Sequence, residues 1–326
     1  MTTIGFHASH EQFAPSALRD LAILAEQAGF QAIKTSDHFH PWSERQGQSG
    51  FAWSWLGAAM QATTLPFGAI SAPGYRYHPA VLAQAAATCA EMFPDRLWLA
   101  LGSGEAINEA ITGDAWPEKA ERNARLAECA AVMRALFDGE TVTHRGRITV
   151  VEAKLYSRPE RPVPLFGAAI TPQTAAFVAG WADGLLTASG GDIAATREVV
   201  AAFRKVAGDS KPIYLQHALS WAETEDEALG QALDQWGPVI AGGEVNWDLR
   251  RPADFDSIGK LAGPDDLARC LKVSSDVSRH LGWLGELMEL GVDHIYLHNV
   301  GRNQRAFVER FGPELAQLAW TSTKRS

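Results

Sequence analysis

The chain has 326 residues, 46% apolar and 21% charged, enough to bury a large core and fold as a soluble globule. Its formal charge of −9 disfavours a nucleic-acid backbone or an anionic membrane as main partner and leaves room only for a local basic patch. Cys89, Cys129 and Cys270 are far apart and form no C-x-x-C pair, and the N-terminus lacks a signal-peptide pattern, so a reduced, cytoplasmic protein is expected. Along the chain, strand and helix patterns alternate. Residues 3–8 read as strand one and 16–27 as its helix, ended by Gly29. Strand two covers 32–35, with a helix over 53–61; strand three covers 66–71, with an alanine-rich helix over 79–92 opened by Pro79. Strand four, 96–102, is nearly all apolar, as a strand buried on both faces should be. A long helix covers 117–137, and 142–153 reads as an inserted hairpin turning at Arg145-Gly146-Arg147. Strand five (163–168) precedes a helix over 171–180, strand six (184–187) one over 193–206, and strand seven (212–221) one over 225–236. Residues 237–262 read as irregular and too long for an ordinary connection, as in a binding loop or lid. A helix over 264–290 leads to strand eight (294–298) and a last helix over 304–319.

Eight strand–helix pairs point to an α/β fold, a (β/α)8 TIM barrel with insertions after strands four and seven; a doubly wound open sheet is the alternative. No linker divides residues 1–326, so a single domain is expected. In such a barrel the chemistry comes from the strand exits. The exits here offer His7 and Ser9; Asp37, His38 and Trp42; Ser71, Tyr75, Arg76 and Tyr77; Ser103, Glu105 and Asn108; Thr187 and Ser189; His217; and His298 with Asn299.

Two of these exits carry most information. Ser36-Asp37-His38-Phe39-His40-Pro41-Trp42 sets two imidazoles, a carboxylate, a hydroxyl and an indole on one rigid edge. Read blandly, it is a solvated turn capped by Asp37. Gly102-Ser103-Gly104-Glu105-Ala106-Ile107-Asn108 lets backbone approach a ligand closely. Ile107 stands where a dinucleotide fingerprint needs its third glycine. Glu105 is either an acid–base group raised by burial or a first-turn acid facing a helix dipole. No H-E-x-x-H zinc motif and no G-x-S-x-G elbow occurs, so no metal is expected. A metal hydrolase using His38, His40 and a strand-eight histidine remains as a rival reading. Trp42, Trp53, Trp247 and Tyr75 suggest a partly aromatic pocket.

Those two stretches, with Tyr75-Arg76-Tyr77-His78-Pro79, Gln12-Phe13-Ala14-Pro15 and Asp114-Ala115-Trp116-Pro117, resemble the luciferase-like flavin and deazaflavin oxidoreductases, nearest to the F-420-dependent glucose-6-phosphate dehydrogenase branch. The resemblance runs through nearly the whole chain. It implies a TIM barrel, usually a homodimer, with the cofactor at its C-terminal mouth. By motif, Asp37 would bind the ring edge, His38 would be the base, Glu105 the acid, and Trp42 a wall of the substrate pocket. Asn108, Ser103 and Gly104 would position the cofactor, and Ala69-Ile70 would supply a non-proline cis peptide behind the ring. The family's phosphate-cradling double-glycine turn here reads Ala168-Ala169-Ile170-Thr171, and its phosphosugar lysine is replaced within Ser189-Gly190-Gly191-Asp192. The lost cation, with Asp192 added, argues for another substrate, and the altered turn argues for a changed cofactor tail. FMN is therefore the first expectation for cofactor, serving hydride transfer or monooxygenation of a small organic substrate, with F-420-dependent dehydrogenation or a non-catalytic flavin-binding protein as alternatives.

Overall fold

A computed structural model describes residues 1–322. In chain order its elements are β1 (Thr3–Ala8), α1 (Pro15–Ala28), β2 (Ile33–Ser36), α2 (Ala52–Ala62), β3 (Phe67–Ser71), α3 (Pro79–Met92), β4 (Leu97–Leu101), α4 (Ala106–Glu109) and α5 (Lys119–Phe137). There follow the hairpin β5 (Val142–Arg145) and β6 (Thr149–Ala153), then β7 (Leu165–Ala168), α6 (Pro172–Ala179), β8 (Gly184–Ser189), α7 (Ile193–Ala207) and β9 (Ile213–Ser220). The chain continues through α8 (Glu225–Trp236), α9 (Gly243–Asp248), α10 (Pro252–Gly259), α11 (Pro264–Cys270), β10 (Lys272–Val273), α12 (Val277–Met288), β11 (His294–Asn299) and α13 (Gln304–Ser322). The parallel strands run in the order β9-β11-β1-β2-β3-β4-β7-β8, and a β8–β9 pairing closes the ring. This is the expected (β/α)8 barrel, with one insertion after its fourth strand and a larger one after its seventh.

Alternation along each strand sorts side chains to two sides. Outward residues such as Phe6, Ile33, Phe67, Leu99, Leu165, Leu215 and Leu297 pack under the helices in the main core. Inward residues form tiers. Trp98, Phe166, Tyr214 and Tyr296 make an aromatic plug, with ring centroids 4.4–6.2 Å apart. Inward Gly68 leaves room for it, because a Cβ there would stand 2.0 Å from the Trp98 ring. Above the plug lies a polar tier of His7, Lys34, Gln216 and His298, from four neighbouring strands. The strand exits open above that tier.

Two expectations are corrected here. Residues 264–290 are not one helix: α11 ends at Cys270, β10 pairs with β9, and Asp276 caps α12 by accepting from Ser278 N–H. Residues 237–262 are not irregular throughout, since α9, α10 and a 3-10 turn at Gly237–Ala241 give the segment short helical pieces.

Candidate functional site

His38 sits at the exit of β2, and its ring is held from two sides. Nδ1 lies 2.6 Å from Glu11 Oε1, and Nε2 lies 3.7 Å from Glu105 Oε2. The Glu11 contact is bent, so its worth is mainly electrostatic. Burial alone would lower the His38 pKa, but the close Glu11 carboxylate, helped by Glu105, raises it above the usual value. Glu11 in turn accepts from Ser9 Oγ and Ser36 Oγ, each at 2.6 Å. Burial pushes its carboxyl up, yet His38 and the two serines hold it well below the ordinary range, hence ionised.

Glu105 occupies the N-cap position of α4, but its side chain makes no cap. It turns instead to His38 and to Asn108, whose Nδ2 donates at 3.2 Å. Burial raises its pKa against the opposing pull of His38 and Asn108. Asn108 Oδ1 meanwhile accepts from the backbone N–H of Phe39 (2.9 Å) and His40 (3.2 Å). One side chain thus fastens the His38 loop to the Glu105 helix. His40 commits Nδ1 to the carbonyl of Ile107 at 2.7 Å, and His298 commits its own Nδ1 to Gln216. The three rings of the metal-hydrolase reading therefore point to separate partners.

Asp37 lines the same cleft, with its carboxylate already engaged. Ser71 Oγ donates to it at 2.7 Å and Tyr77 at 3.0 Å, and Arg76 Nη1 lies 3.4 Å away. Arg76 also faces Glu109, whose pKa burial pushes up to about 7 despite that cation. Ser103 accepts from Lys119 Nζ at 2.6 Å. Gly104 is required by its backbone: φ is +81°, and a Cβ would come within 2.8 Å of Glu109 Cγ.

Two neighbouring cavities share His38 and Glu105 in their lining. One, of about 200 Å³, is bounded by Asp37, Ser71, the 102–105 turn, Asn108 and residues 168–171. The other, of about 440 Å³, runs down to His7, Lys34 and His298, with Trp42, Trp247 and Phe255 along its sides. Ile70, Gln216 and Trp247 border both. Trp42 stands edge-on to His38 and to Phe255. The first cavity suits a flat cofactor ring. Its wall is built from small residues such as Ala72, Gly102 and Ala168, and it carries the buried, unpartnered Thr187 hydroxyl.

Several sequence expectations need correction. Ala69 turns its methyl into the helix-packed core, so only Ile70 of that pair lines the cleft; successive strand residues cannot face the same way. Among the described residues no peptide bond is cis, and β3 keeps unbroken register with β2 and β4 through Ile70. Ala168, Ala169, Ile170 and Thr171 do line the cleft. The Ala169 amide, however, is spent on Leu186 O, and Thr171 caps α6. Asp192 is exposed and caps α7, so it contributes no charge to the cleft. Gly190 and Gly191 serve close packing, because a Cβ on either would stand 2.3 Å from a carbonyl of Arg269 or Cys270. Trp53 is core, and Tyr75 packs on Trp116 beneath Arg125. Glu11, Lys34, Lys119 and Gln216 were not singled out by the sequence reading. A polar run continuing past a strand exit, as in Ser9-His10-Glu11, is the signal that would have found Glu11.

The sequence model of the luciferase-like monooxygenase family matches residues 1–294, and the chain belongs to that family. It is an oxidoreductase of that fold. Among curated relatives, it is 34% identical over 325 residues to the F420-dependent glucose-6-phosphate dehydrogenase of Beutenbergia cavernae, covering 97% of this chain and 96% of that one. It is 35% identical over 327 residues to the corresponding enzyme of Mycobacterium tuberculosis, covering 96% of each. Among solved structures, an F420-dependent secondary alcohol dehydrogenase bound to an F420–acetone adduct superposes with a TM-score of 0.88, at 29% identity over 96% of this chain and 97% of that one. An EDTA monooxygenase from Chelativorans, at 12% identity and a TM-score of 0.73 over 98% and 94% of the chains, shares the fold alone. These likenesses favour the deazaflavin alternative over the FMN expectation.

Proposed function

We propose that the protein is an F420-dependent dehydrogenase that interconverts an alcohol and its carbonyl compound. The observation that carries this reading is the meeting of His38 and Glu105 at the junction of a ring-sized cleft and a second cavity. When bound, the deazaflavin accepts or supplies the hydride; proton handling, orientation and exclusion of water fall to the protein. The ring would lie against Ile70 and the 102–105 turn, with Asn108 and residues 168–171 along its edge and tail. Asp37, held by Ser71, Tyr77 and Arg76, would fix the loop that carries His38. His38 Nε2 takes the hydroxyl proton of the substrate, and Glu11 stabilises the imidazolium that forms. Glu105, its pKa raised by burial, would exchange a proton between His38 and the ring's side of the cleft, and Trp42 would wall the substrate. The FMN reading is weaker because the monooxygenase neighbour shares only the fold, whereas the relatives of 34–35% identity are F420-dependent.

The test is anaerobic incubation of the protein with F420 and a panel of alcohols, following the bleaching of the oxidised cofactor. Bleaching with at least one alcohol, lowered about a hundredfold or more in His38→Ala, is expected. No bleaching with any alcohol, or equal rates in the variant, would refute the assignment.

A further inference from the structure

Lys34 is the one inward-facing lysine of the polar tier, and proton transfer at His38 does not use it. Its side chain is buried within the barrel, with 1% of the residue exposed. Nζ donates to Gln216 Oε1 at 2.6 Å and stands 3.4 Å from His7 Nδ1. Among the described residues no carboxylate lies within ion-pair distance of it. A buried ammonium without a counter-charge is unfavourable, and burial pushes its pKa down to about 7 against the opposing field of Glu11. The aromatic plug already closes the barrel beneath it, so packing alone does not call for a cation here.

The hydrogen-bond direction of the tier is informative. Because Gln216 accepts from Lys34 through Oε1, its amide nitrogen faces His298 Nδ1 at 3.1 Å and donates to it. The His298 proton then resides on Nε2, a buried atom with no partner. The tier therefore carries an amine that gains its charge near neutral pH and a surplus donor, and none of its own side chains is an anion. It forms the floor of the larger cavity, whose walls are Trp42, Trp236, Trp247 and Phe255 and whose other end is His38 with Glu105 and the ionised Glu11, a carboxylate already engaged by His38 and two serines.

We propose that Lys34, ordered by Gln216 and flanked by His7 and His298, binds the carboxylate of a hydroxy- or oxo-acid substrate whose reacting carbon lies at His38. This rests on the dehydrogenase reading above and specifies its substrate class. One ammonium balances one negative charge, so a carboxylate fits better than a doubly charged phosphate, which would leave charge uncompensated in a cavity. The aromatic walls take the apolar remainder of the molecule.

The experiment is titration calorimetry on the full chain, alone and saturated with F420. Lactate, 3-hydroxybutyrate and 4-hydroxybutyrate are each compared with their uncharged amide. At least one acid should bind about tenfold or more tighter than its amide, and Lys34→Met should abolish that preference. At pH 8, binding of the favoured acid should take up protons in the wild type and not in the variant. The other groups facing Lys34 are His7, His298 and Glu11. They would not contribute, because the two histidines are already neutral and Glu11 ionised. Should Lys34→Met fail to fold, the acid-to-amide ratio of the wild type decides alone. Acids no tighter than amides, a preference that survives Lys34→Met, or glucose 6-phosphate binding better than every acid would overturn the proposal. Turnover of neutral alcohols without any acid preference would sink this site and leave the dehydrogenase reading standing. Acid binding without F420 turnover would do the reverse.

Discussion

At His38, two carboxylates act on one imidazole from opposite sides and for different purposes. Glu11 is ionised and fixed by two serine hydroxyls, so it orients the ring and favours its protonated form. Glu105 faces the cavity junction, where burial raises its pKa against the pull of His38 and Asn108. The sign of the pH effect follows. His38 must be neutral to accept a proton, so kcat/KM should rise with pH through its elevated pKa. Glu11→Gln removes the main raising influence, so the acid limb should move to lower pH while kcat falls by about tenfold or more. A pH–rate profile checks this, and an acid limb that stays in place or moves up would contradict it. His38, Glu105 and Asn108 were legible in the sequence because each sits in a dense polar motif at a strand exit. Glu11 and Lys34 were not: their importance comes from three-dimensional neighbours, and a lone lysine inside a strand pattern reads as an edge or surface residue.

At the level of elements, the cleft is assembled by two side chains that cross between loops. Asn108 ties the loop after β2 to α4, and Arg76 ties the loop after β3 to both, through Asp37 and Glu109. Arg76, Asp37 and Glu109 are all nearly inaccessible to solvent. Removing the guanidinium would leave two buried carboxyls without their cation. Arg76→Met should therefore destabilise the fold by roughly 3–5 kcal/mol, read as a lowered Tm or denaturant midpoint. A loss within about 0.5 kcal/mol, the range of an ordinary surface change, would show that the pairing carries little energy. Asn108→Ala should spare stability more and weaken cofactor binding by about tenfold, measured by titration, because two backbone amides of the His38 loop lose their acceptor. Element boundaries were mostly readable from period and from Pro and Gly punctuation. The division of 264–290 was missed because apolar spacing continues across it. Ser274-Ser275-Asp276, a capping sequence inside the run, was the available sign.

For the whole molecule, the barrel was readable because eight apolar strand patterns alternate with amphipathic helices, a rhythm that few folds share. The inner tiers were not, since inward and outward residues become distinguishable only once the ring closes. That interior has a consequence for stability. Burial lowers His10, His280 and His294 to about 4 and His217 and His298 to about 3. The unfolded chain would bind protons on all five below about pH 6.5, where the folded chain binds few. Their contribution is complete above that pH and is lost as pH falls toward the folded values, by up to about 1.4 kcal/mol per pH unit for each histidine. The depressed carboxyl of Glu11 acts in the same direction. Because a domain is stable by only about 5–15 kcal/mol, cooperative acid unfolding is expected between roughly pH 6 and 4, seen by circular dichroism. A fold that persists with unchanged Tm at pH 4 would contradict this account of the interior.

In the proposed function a deazaflavin ring and a His38–Glu105 proton relay share one cleft. Equilibrium titration of the purified protein with F420 and with FMN, each following cofactor fluorescence and repeated in Asn108→Ala and Gly104→Val, addresses it most directly. Saturable F420 binding, clearly tighter than FMN binding and weakened in both variants, is expected. Binding of FMN in preference to F420, binding of neither, or F420 binding indifferent to both substitutions would contradict it.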